Sequence, residues 1–317
     1  MADHMVYILG NLIVDFLLYI EEFPVEARAL QGVSHVAIGP GGACNVAIVV
    51  SRFGLPVTSL GEIGKDYFGE IVLSGLKREG IHTGEILINE KGATPVAGVL
   101  VDPQSEPGYL GYPGQQMLLA LPETWRTMLH DGQALFVDGW IEYEEMAGVI
   151  LDALRITQKG GGKTFFDPGP GNPRQDNTWH MKAAASSNVV LLTESELERL
   201  TGAENNEAGA RQLLKNGSSM VLVKRGANGL VIYTANDTVD IPGLPVKALD
   251  TTGAGDSLAG SIIYGLLYDL SLEALGTLAN ATGAAKVLKI GTGHQVPKTA
   301  EIRAILDQFD LEVPGWH

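Results

Sequence analysis

The chain has 317 residues, of which 45% are hydrophobic, and it carries a formal net charge of −15 at pH 7. A chain of this size buries a sizeable core, and its negative charge argues against nucleic acid or an anionic membrane as a partner. The single cysteine, Cys44, excludes an intrachain disulfide and is typical of a cytoplasmic protein. The apolar run Val6–Ile20 is too short to span a bilayer and contains Asp15.

Short apolar runs rich in β-branched residues alternate with segments of helical periodicity along most of the chain. This alternation predicts βαβ units on a mainly parallel sheet, an α/β fold. The predicted buried strands are Val57–Gly61, Ala134–Asp138, Lys163–Asp167, Asn188–Thr193 and Met220–Lys224. The predicted helices include one after Gly42, then Ser257–Leu270, Glu273–Leu288 and a closing helix at Lys298–Phe309.

Four β-like segments near the N-terminal third interrupt this alternation, with no helix between some of them. They are Leu12–Ile20, Val33–Ile38, Pro95–Val101 and Tyr109–Tyr112. We interpret them as a small sheet, built from segments of about 12–38 and 93–113, that is inserted in the α/β body. No linker, low-complexity stretch or internal repeat divides the chain, so residues 1–317 are predicted to form a single domain.

A glycine-rich run leads directly into the predicted helix Ser257–Leu270. The run reads Asp250-Thr251-Thr252-Gly253-Ala254-Gly255-Asp256. Glycines allow a tight turn that directs backbone amides toward an anion at the helix start, and a carboxylate placed there suits proton acceptance from an attacking hydroxyl. A plain loop whose aspartate caps the helix is the alternative. A dinucleotide fingerprint is excluded by Leu258, and no Gly-Lys-Ser/Thr run follows a strand.

The whole run resembles the C-terminal signature Asp-Thr-x-Gly-Ala-Gly-Asp of the ribokinase-like (PfkB) carbohydrate kinases. Gly41–Ala47 resembles the N-terminal Gly-Gly-x-x-Asn-x-Ala motif of this family, and Gly61–Gly69 resembles its Gly-x-x-Gly-x-Asp-x-x-Gly continuation. Three motifs in order are far more specific than one. The resemblance implies a three-layer α/β/α sandwich around a mainly parallel sheet, with the small inserted sheet as a lid, and it implies an ATP-dependent kinase.

The resemblance also implies roles for individual residues. Asp256 matches the catalytic base, and the anion hole corresponds to Gly253, Ala254 and Gly255. The sugar-binding positions are Asp15, Gly41, Gly42 and Asn45. The ATP-binding positions are Thr193, Glu196, Lys224, Gly226, Gly229, Thr252 and Asn280.

Metal binding follows from the same resemblance. Glu196 matches a residue that organises Mg²⁺ indirectly, although Thr193 replaces the usual asparagine beside it. Asp250 and the stretch Lys289–Gly293 resemble the elements that hold a monovalent cation, which predicts stimulation by K⁺. Simpler interpretations remain open: Glu196 as part of an acidic first helical turn, the residues after Lys224 as a plain hairpin turn, and Asp15 as an outward-facing strand residue.

We therefore expect a kinase that phosphorylates a hydroxyl of a small neutral sugar. The alternatives are a nucleoside kinase and a catalytically silent sugar-sensing protein. The expected pocket walls, Gly10–Ile20, Gly39–Asn45 and Pro95–Met117, contain no Lys or Arg to bind an anionic acceptor, and Arg28 is the nearby exception. Trp140 could stack on a sugar or pack in the core. Neither nucleic acid nor membrane is an expected partner, and a homodimer through the lid is predicted.

Overall fold

The computed structural model describes residues 4–25, 30–114, 118, 120–140, 144–170 and 178–316. Arg28 and the end of one expected pocket wall, Gln115–Met117, lie outside the described residues.

The strands are β1 Val6–Leu9, β2 Leu12–Ile20, β3 Val33–Gly42, β4 Val57–Gly64, β5 Ile86–Asn89, β6 Val96–Val101, β7 Pro107–Tyr112, β8 Ala134–Asp138, β9 Lys163–Asp167, β10 Val189–Thr193, β11 Met220–Lys224, β12 Leu230–Thr234 and β13 Thr238–Ile241. The helices are α1 Ala43–Arg52, α2 Tyr67–Arg78, α3 Glu123–Asp131, α4 Glu144–Lys159, α5 Thr178–Ala185, α6 Glu194–Thr201, α7 Asn206–Asn216, α8 Ala254–Leu267, α9 Leu272–Val287 and α10 Thr299–Gln308.

The main sheet has nine strands in the order β13-β12-β11-β10-β9-β8-β1-β4-β5. Its neighbours pair in parallel except where β12 runs antiparallel to β11 and β13. Helices α1, α2, α8, α9 and α10 pack on one face of the sheet, and α3 to α7 pack on the other. The predicted three-layer α/β/α sandwich is therefore confirmed.

The helix after the glycine-rich run begins earlier than predicted. It was expected to start at Ser257, but α8 starts at Ala254. Gly253 adopts a left-handed conformation with φ 76° and forms the N-cap, a conformation that favours glycine and that apolar periodicity cannot reveal. As a consequence, Asp256 lies inside the first turn of α8 rather than in the loop before it.

A small sheet separate from the main one is present, as the sequence predicted, and its strand order is β3-β2-β6-β7. Its strand β3 continues past the expected end to Gly42 and runs directly into α1, which links the small sheet to the body. One face buries Leu17 and Val99. Large apolar side chains elsewhere in the small sheet, including Ile38 and Leu110, stay exposed.

Across the described residues, the helices are all too short or too polar to cross a membrane.

Candidate active site

Polar side chains end four neighbouring parallel strands of the main sheet. Asp138, Asp167, Thr193 and Lys224 are the last residues of β8, β9, β10 and β11. The register pairs Asp138 with Asp167 and Thr193 with Lys224. Because ligands of open α/β sheets bind beyond the carboxyl ends of the strands, this edge is where the site is expected.

Asp256 lies at this edge and is positioned by Asn45. The Asn45 side chain donates from Nδ2 to Asp256 Oδ2 over 2.8 Å, and its Oδ1 accepts the Gly293 N–H over 2.7 Å. Since a backbone N–H can only donate, the Gly293 contact determines which end of the amide faces Asp256. The sequence predicted Asn45 as a contact to the sugar, and that contact stays a prediction.

The environment of Asp256 adjusts its proton affinity. Burial raises the pKa of Asp256 to about 6, and the charge of Asp167 adds to this, while Asn45, Lys224 and Lys286 oppose it. A carboxyl group of this kind is mostly ionised at neutral pH and yet has a higher proton affinity than a surface aspartate. Such a group can accept a proton during a reaction.

Lys224 brings a positive charge to the start of α8. Its Nζ lies 2.7 Å from Asp167 Oδ2, and a Cβ added at Gly255 would lie 3.2 Å from the same Nζ. Burial alone would lower the pKa of Lys224, but Asp167 and Glu196 outweigh it and hold that pKa above its ordinary value. The side chain is therefore a fixed cation beside the glycine turn.

The amides of the glycine turn are not all equally free. The Ala254 N–H donates to the Thr251 carbonyl over 3.1 Å, so it closes the turn. The amides of Gly255 and Asp256, in the first turn of α8, lack acceptors within the helix and are the ones that α8 offers to an anion. Thr252, predicted to contact ATP, is buried and donates its N–H to Asp250 Oδ1 over 2.9 Å.

Three other predicted ATP positions have clear structural tasks. Gly226 and Gly229 bound the turn between β11 and β12, and a Cβ at Gly229 would lie 2.1 Å from the Ile241 carbonyl oxygen. Asn280 on α9 donates to the Pro242 carbonyl over 2.8 Å. The hairpin interpretation thus holds for this turn, and contact with ATP stays a prediction.

Thr193 and Glu196 form a capping box at the start of α6. The Thr193 hydroxyl accepts the Glu196 N–H over 3.3 Å, and Glu196 Oε2 accepts the Thr193 N–H over 2.7 Å. Within the described ranges, no three His, Cys, Asp or Glu side chains are grouped as a metal site. Mg²⁺ usually takes most ligands from phosphates and water and few from the protein. Glu196 is the buried carboxylate that would organise it.

Asp15 is buried at the junction of the small sheet and the body. It is 4% exposed, so it is not an outward-facing strand residue. A Cβ at Gly41 would lie 2.1 Å from Asp15 Cγ, which explains the glycine there. Gly42 has φ 57°, and a Cβ on it would lie 2.6 Å from the Asn11 carbonyl oxygen. Burial raises the pKa of Asp15 to about 7, helped by the charges of Asp256 and Asp250.

Asp138 belongs to the same acidic region, although the sequence analysis did not identify it. Its Oδ2 accepts the Asn11 N–H over 3.0 Å, while Oδ1 is buried and finds no hydrogen-bond partner within the part of the chain described. Burial raises the pKa of Asp138 to about 7. Its carboxylate adjoins a small cavity that is also lined by Gly10 and Glu62. An unsatisfied buried oxygen is suited to accept a hydrogen bond from a ligand.

Two aromatic side chains meet where the small sheet approaches the body. Tyr109 of β7 and Trp140, just after β8, have ring centroids 5.9 Å apart in an edge-to-face arrangement. Trp140 is 41% exposed, so it is not a core residue. Burial, together with the charges of Asp256 and Asp15, raises the pKa of Tyr109. The aromatic pair therefore borders the space around these carboxylates.

Asp250 and Lys286 form a fully buried ion pair beside the glycine turn. Asp250 accepts hydrogen bonds from Tyr19 Oη, Thr252 N and Gly291 N over 2.6, 2.9 and 2.8 Å. The Lys286 Nζ lies 4.0 Å from Asp250 Oδ2. It donates to the carbonyl oxygens of Asp250 and Lys289 over 3.4 and 3.1 Å.

The expected K⁺ site does not fit these contacts. Two carbonyl oxygens in the region that the resemblance assigned to a monovalent cation, those of Asp250 and Lys289, already accept hydrogen bonds from Lys286. An ammonium and K⁺ would repel each other there. Sequence reasoning missed Lys286 and Asp167. Asp167 carried a signal, as a carboxylate that ends a predicted parallel strand, whereas a lysine in the middle of a partly apolar segment gave none.

The glycine turn at the start of the buried helix α8, with the Asp256 carboxylate and the Lys224 ammonium beside it, is an arrangement suited to binding a phosphate group. The profile of the pfkB family carbohydrate kinases matches residues 3–299. The chain therefore belongs to this family, which confirms the resemblance and the predicted class of enzyme.

Individual relatives and solved structures are similar to this chain. A ribokinase from Mus musculus is 28% identical over 302 residues, covering 92% of this chain and 91% of the mouse protein. The structure of Arabidopsis thaliana ribokinase complexed with ribose and ATP has a TM-score of 0.81 at 21% identity and covers 96% of this chain and 99% of that one. A protein of E. coli described as a ribokinase II, solved with ATP and Mg²⁺, has a TM-score of 0.82 at 21% identity with the same coverage.

Proposed function

We propose that this chain is an ATP-dependent kinase that phosphorylates a hydroxyl group of a small neutral sugar. The observation that carries the proposal is the placement of Asp256. Its carboxylate lies in the first turn of α8, is oriented by Asn45 over 2.8 Å, and has a pKa raised by burial to about 6. A base of this strength, held beside free helix-start amides, suits transfer of a phosphoryl group to an alcohol.

In the proposed reaction, the sugar hydroxyl oxygen attacks the γ-phosphorus of ATP while its proton passes to the Asp256 carboxylate. The bond between the γ-phosphorus and the bridging oxygen breaks, and ADP leaves with that electron pair. Phosphoryl transfer depends mainly on positioning and charge stabilisation, so the direction of the Asp256 carboxylate is the first requirement. Asn45 fixes this direction through its hydrogen bond to the carboxylate.

The anion hole in this proposal is the start of α8. The Gly253–Gly255 turn directs amides toward the phosphoryl group, and the N–H groups of Gly255 and Asp256 are the ones without helical acceptors. Lys224, held by Asp167 over 2.7 Å, adds a positive charge beside Gly255. Mg²⁺ bound with the nucleotide would neutralise part of the phosphate charge. K⁺ is not part of this proposal, because Lys286 occupies the region where it was expected.

The acceptor lies, in this proposal, between the small sheet and the body. Asp15, Asp138 and the aromatic pair of Tyr109 and Trp140 surround this space. Carboxylates accept hydrogen bonds from sugar hydroxyls, and aromatic rings pack on sugar faces. A buried anionic acceptor needs a cationic contact, and the described parts of the expected walls contain no Lys or Arg. We therefore expect the phosphoryl acceptor to be an uncharged molecule.

The small sheet acts in this proposal as a lid that excludes water, a competing phosphoryl acceptor. Its exposed apolar side chains, such as Val36, Ile38 and Leu110, support a homodimer that covers them. Light scattering tests this: a particle of 33.7 kDa at micromolar concentration excludes the dimer.

The cytoplasm is the proposed location, consistent with the single free and buried cysteine, Cys44.

The test is ATP turnover with a panel of acceptors: ribose, fructose, fructose 6-phosphate, 2-keto-3-deoxygluconate and adenosine. The expected result is the highest kcat/KM with ribose or fructose. A preference for adenosine establishes the nucleoside kinase instead, and a preference for either anionic compound overturns the neutral acceptor. Binding of a sugar without turnover of any acceptor identifies a sugar-sensing protein.

A further inference from the structure

Lys286 is an unusual residue for its position. It lies in the last turn of α9, and none of its surface is exposed to solvent. Lysine is almost never fully buried unless it is paired, because an ammonium ion without compensation is very unfavourable inside a protein. Here its Nζ has three nearby oxygens: the carbonyl oxygens of Asp250 and Lys289, and Oδ2 of Asp250 at 4.0 Å.

The surroundings of Asp250 indicate that this pair is ionic. Its carboxylate oxygens accept hydrogen bonds from Tyr19, Thr252 and Gly291, as expected of an acceptor-only, ionised carboxylate. Lys286 is the ammonium group that balances this charge. Burial lowers the pKa of Lys286, and the charges of Asp250 and Asp256 act in the opposite direction.

The charge of Lys286 lies close to the glycine turn. A Cβ added at Gly253, the N-cap of α8, would lie 3.7 Å from Lys286 Cε. The same charge contributes to lowering the pKa of Asp256, so its field extends to the reacting groups. Lys286 therefore places a positive charge next to the turn whose amides are proposed to hold the phosphoryl group.

We propose that the Lys286 ammonium serves as a built-in monovalent cation, so that the enzyme needs no K⁺ for turnover. This inference rests on the kinase function proposed above. Lys286 is a positioning residue: it touches neither substrate and acts through Asp250 and the Gly253 turn. A charge attached to the chain stays in place at any salt concentration, and a preorganised charge of this kind stabilises developing negative charge without reorganisation.

The first test compares the wild-type enzyme in KCl, NaCl and tetramethylammonium chloride at constant ionic strength. The expected turnover rates agree within about twofold, because constant ionic strength fixes the general screening of charge. Stimulation by K⁺ of about fivefold or more over Na⁺ overturns the proposal. This arm needs no variant, so it decides the question even if substitutions at position 286 prevent folding.

The second test compares Lys286→Ala with Lys286→Met. Both remove the charge, so kcat falls by about tenfold or more in Na⁺, in keeping with the loss of a preorganised charge near the anion hole. Alanine leaves room for an ion beside Asp250, and K⁺ or NH₄⁺ restores activity of this variant. Methionine fills the space, and neither ion rescues it. The control is Lys65→Met, which removes an exposed lysine paired with Glu90.

Thermal unfolding provides a readout that is independent of turnover. K⁺ is expected to raise the Tm of Lys286→Ala relative to Na⁺, and to leave wild type and Lys286→Met unchanged. A folded Lys286→Met with wild-type kcat, or a folded Lys286→Ala that responds to no cation in either measurement, overturns the proposal. If wild type turns over no acceptor, the proposed kinase function fails, while the thermal measurements still decide whether Lys286 replaces a cation.

Discussion

Two aspartates near the start of α8, one in the loop before the helix and one in its first turn, lie in opposite environments. Asp250 is fully buried, accepts three hydrogen bonds and lies 4.0 Å from the Lys286 ammonium. Asp256 is half-buried and accepts a hydrogen bond from Asn45. Three donors and a cation surround the first carboxylate, whereas burial raises the pKa of the second. Asp250 thus stabilises the glycine turn, whereas the carboxylate of Asp256 keeps the capacity to accept a proton.

The substitution Asp256→Asn tests the proposed role of Asp256 as the proton acceptor. We expect kcat to fall by about 100-fold or more, because the proton acceptor is lost, while ATP still binds to Lys224 and the helix-start amides. Calorimetric titration of ATP and steady-state kinetics measure the two effects. The exposed Asp307→Asn on α10 is the control. Retention of more than about a tenth of wild-type kcat contradicts the role of Asp256 as base.

The same substitution has a consequence for stability. The pKa of Asp256 in the folded protein, about 6, lies above the ordinary value of 3.8, so ionisation at neutral pH costs stability that is regained as the pH falls through this value. Asparagine carries no such charge. Asp256→Asn is therefore expected to be at least as stable as wild type at pH 7.

The substitution Asp250→Asn is expected to have the opposite effect on stability. It leaves the Lys286 ammonium buried without a counter-charge, and loss of one partner of a buried pair typically lowers the free energy of unfolding by about 3 to 5 kcal/mol. Urea denaturation measures the change. The double variant Asp250→Asn/Lys286→Met should recover part of the loss, because both charges are then absent. Equal stability of Asp250→Asn and wild type is incompatible with a buried ion pair.

Much of the fold could be predicted because its signals are local. The strands β8, β9 and β11 have the bounds that their apolar runs predicted. The start of α8 was misplaced because the left-handed Gly253 depends on backbone conformation, which the apolar pattern does not report. The small sheet was predictable because β2 and β3, and likewise β6 and β7, follow one another without an intervening helix.

The site was less accessible to prediction because its decisive contacts join distant parts of the chain. Asn45 with Asp256, Lys224 with Asp167, and Lys286 with Asp250 each depend on tertiary packing. Motifs identified both Asn45 and Asp256 but not the contact between them, and they identified only one member of each of the other two pairs. Asn45 shows the limit well: its motif implied contact with sugar, and only the fold shows that its amide orients Asp256.

The substitution Asn45→Ala sharpens the role of the proton acceptor. The hydrogen bond from Asn45 lowers the pKa of Asp256, so its removal should raise that pKa above about 6. Because the base is active only when ionised, the acid limb of kcat/KM should shift to higher pH. A loss of about fivefold at pH 6 follows for a shift of roughly one pH unit, with a much smaller loss at pH 8. An equal loss at every pH contradicts control of proton affinity by Asn45.

The substitution Tyr19→Phe gives the smallest expected effect. It tests how much a hydrogen bond from the small sheet contributes to holding Asp250 in place. Tyr19 on β2 donates to Asp250 Oδ2 over 2.6 Å, but Thr252 and Gly291 still donate to the same carboxylate without it. The free energy of unfolding should therefore fall by only about 1 kcal/mol, the usual net value of a single hydrogen bond. The exposed Tyr67→Phe is the control in urea denaturation. A loss as large as that of Asp250→Asn would mean that Tyr19, rather than Lys286, is the main stabilising partner of Asp250.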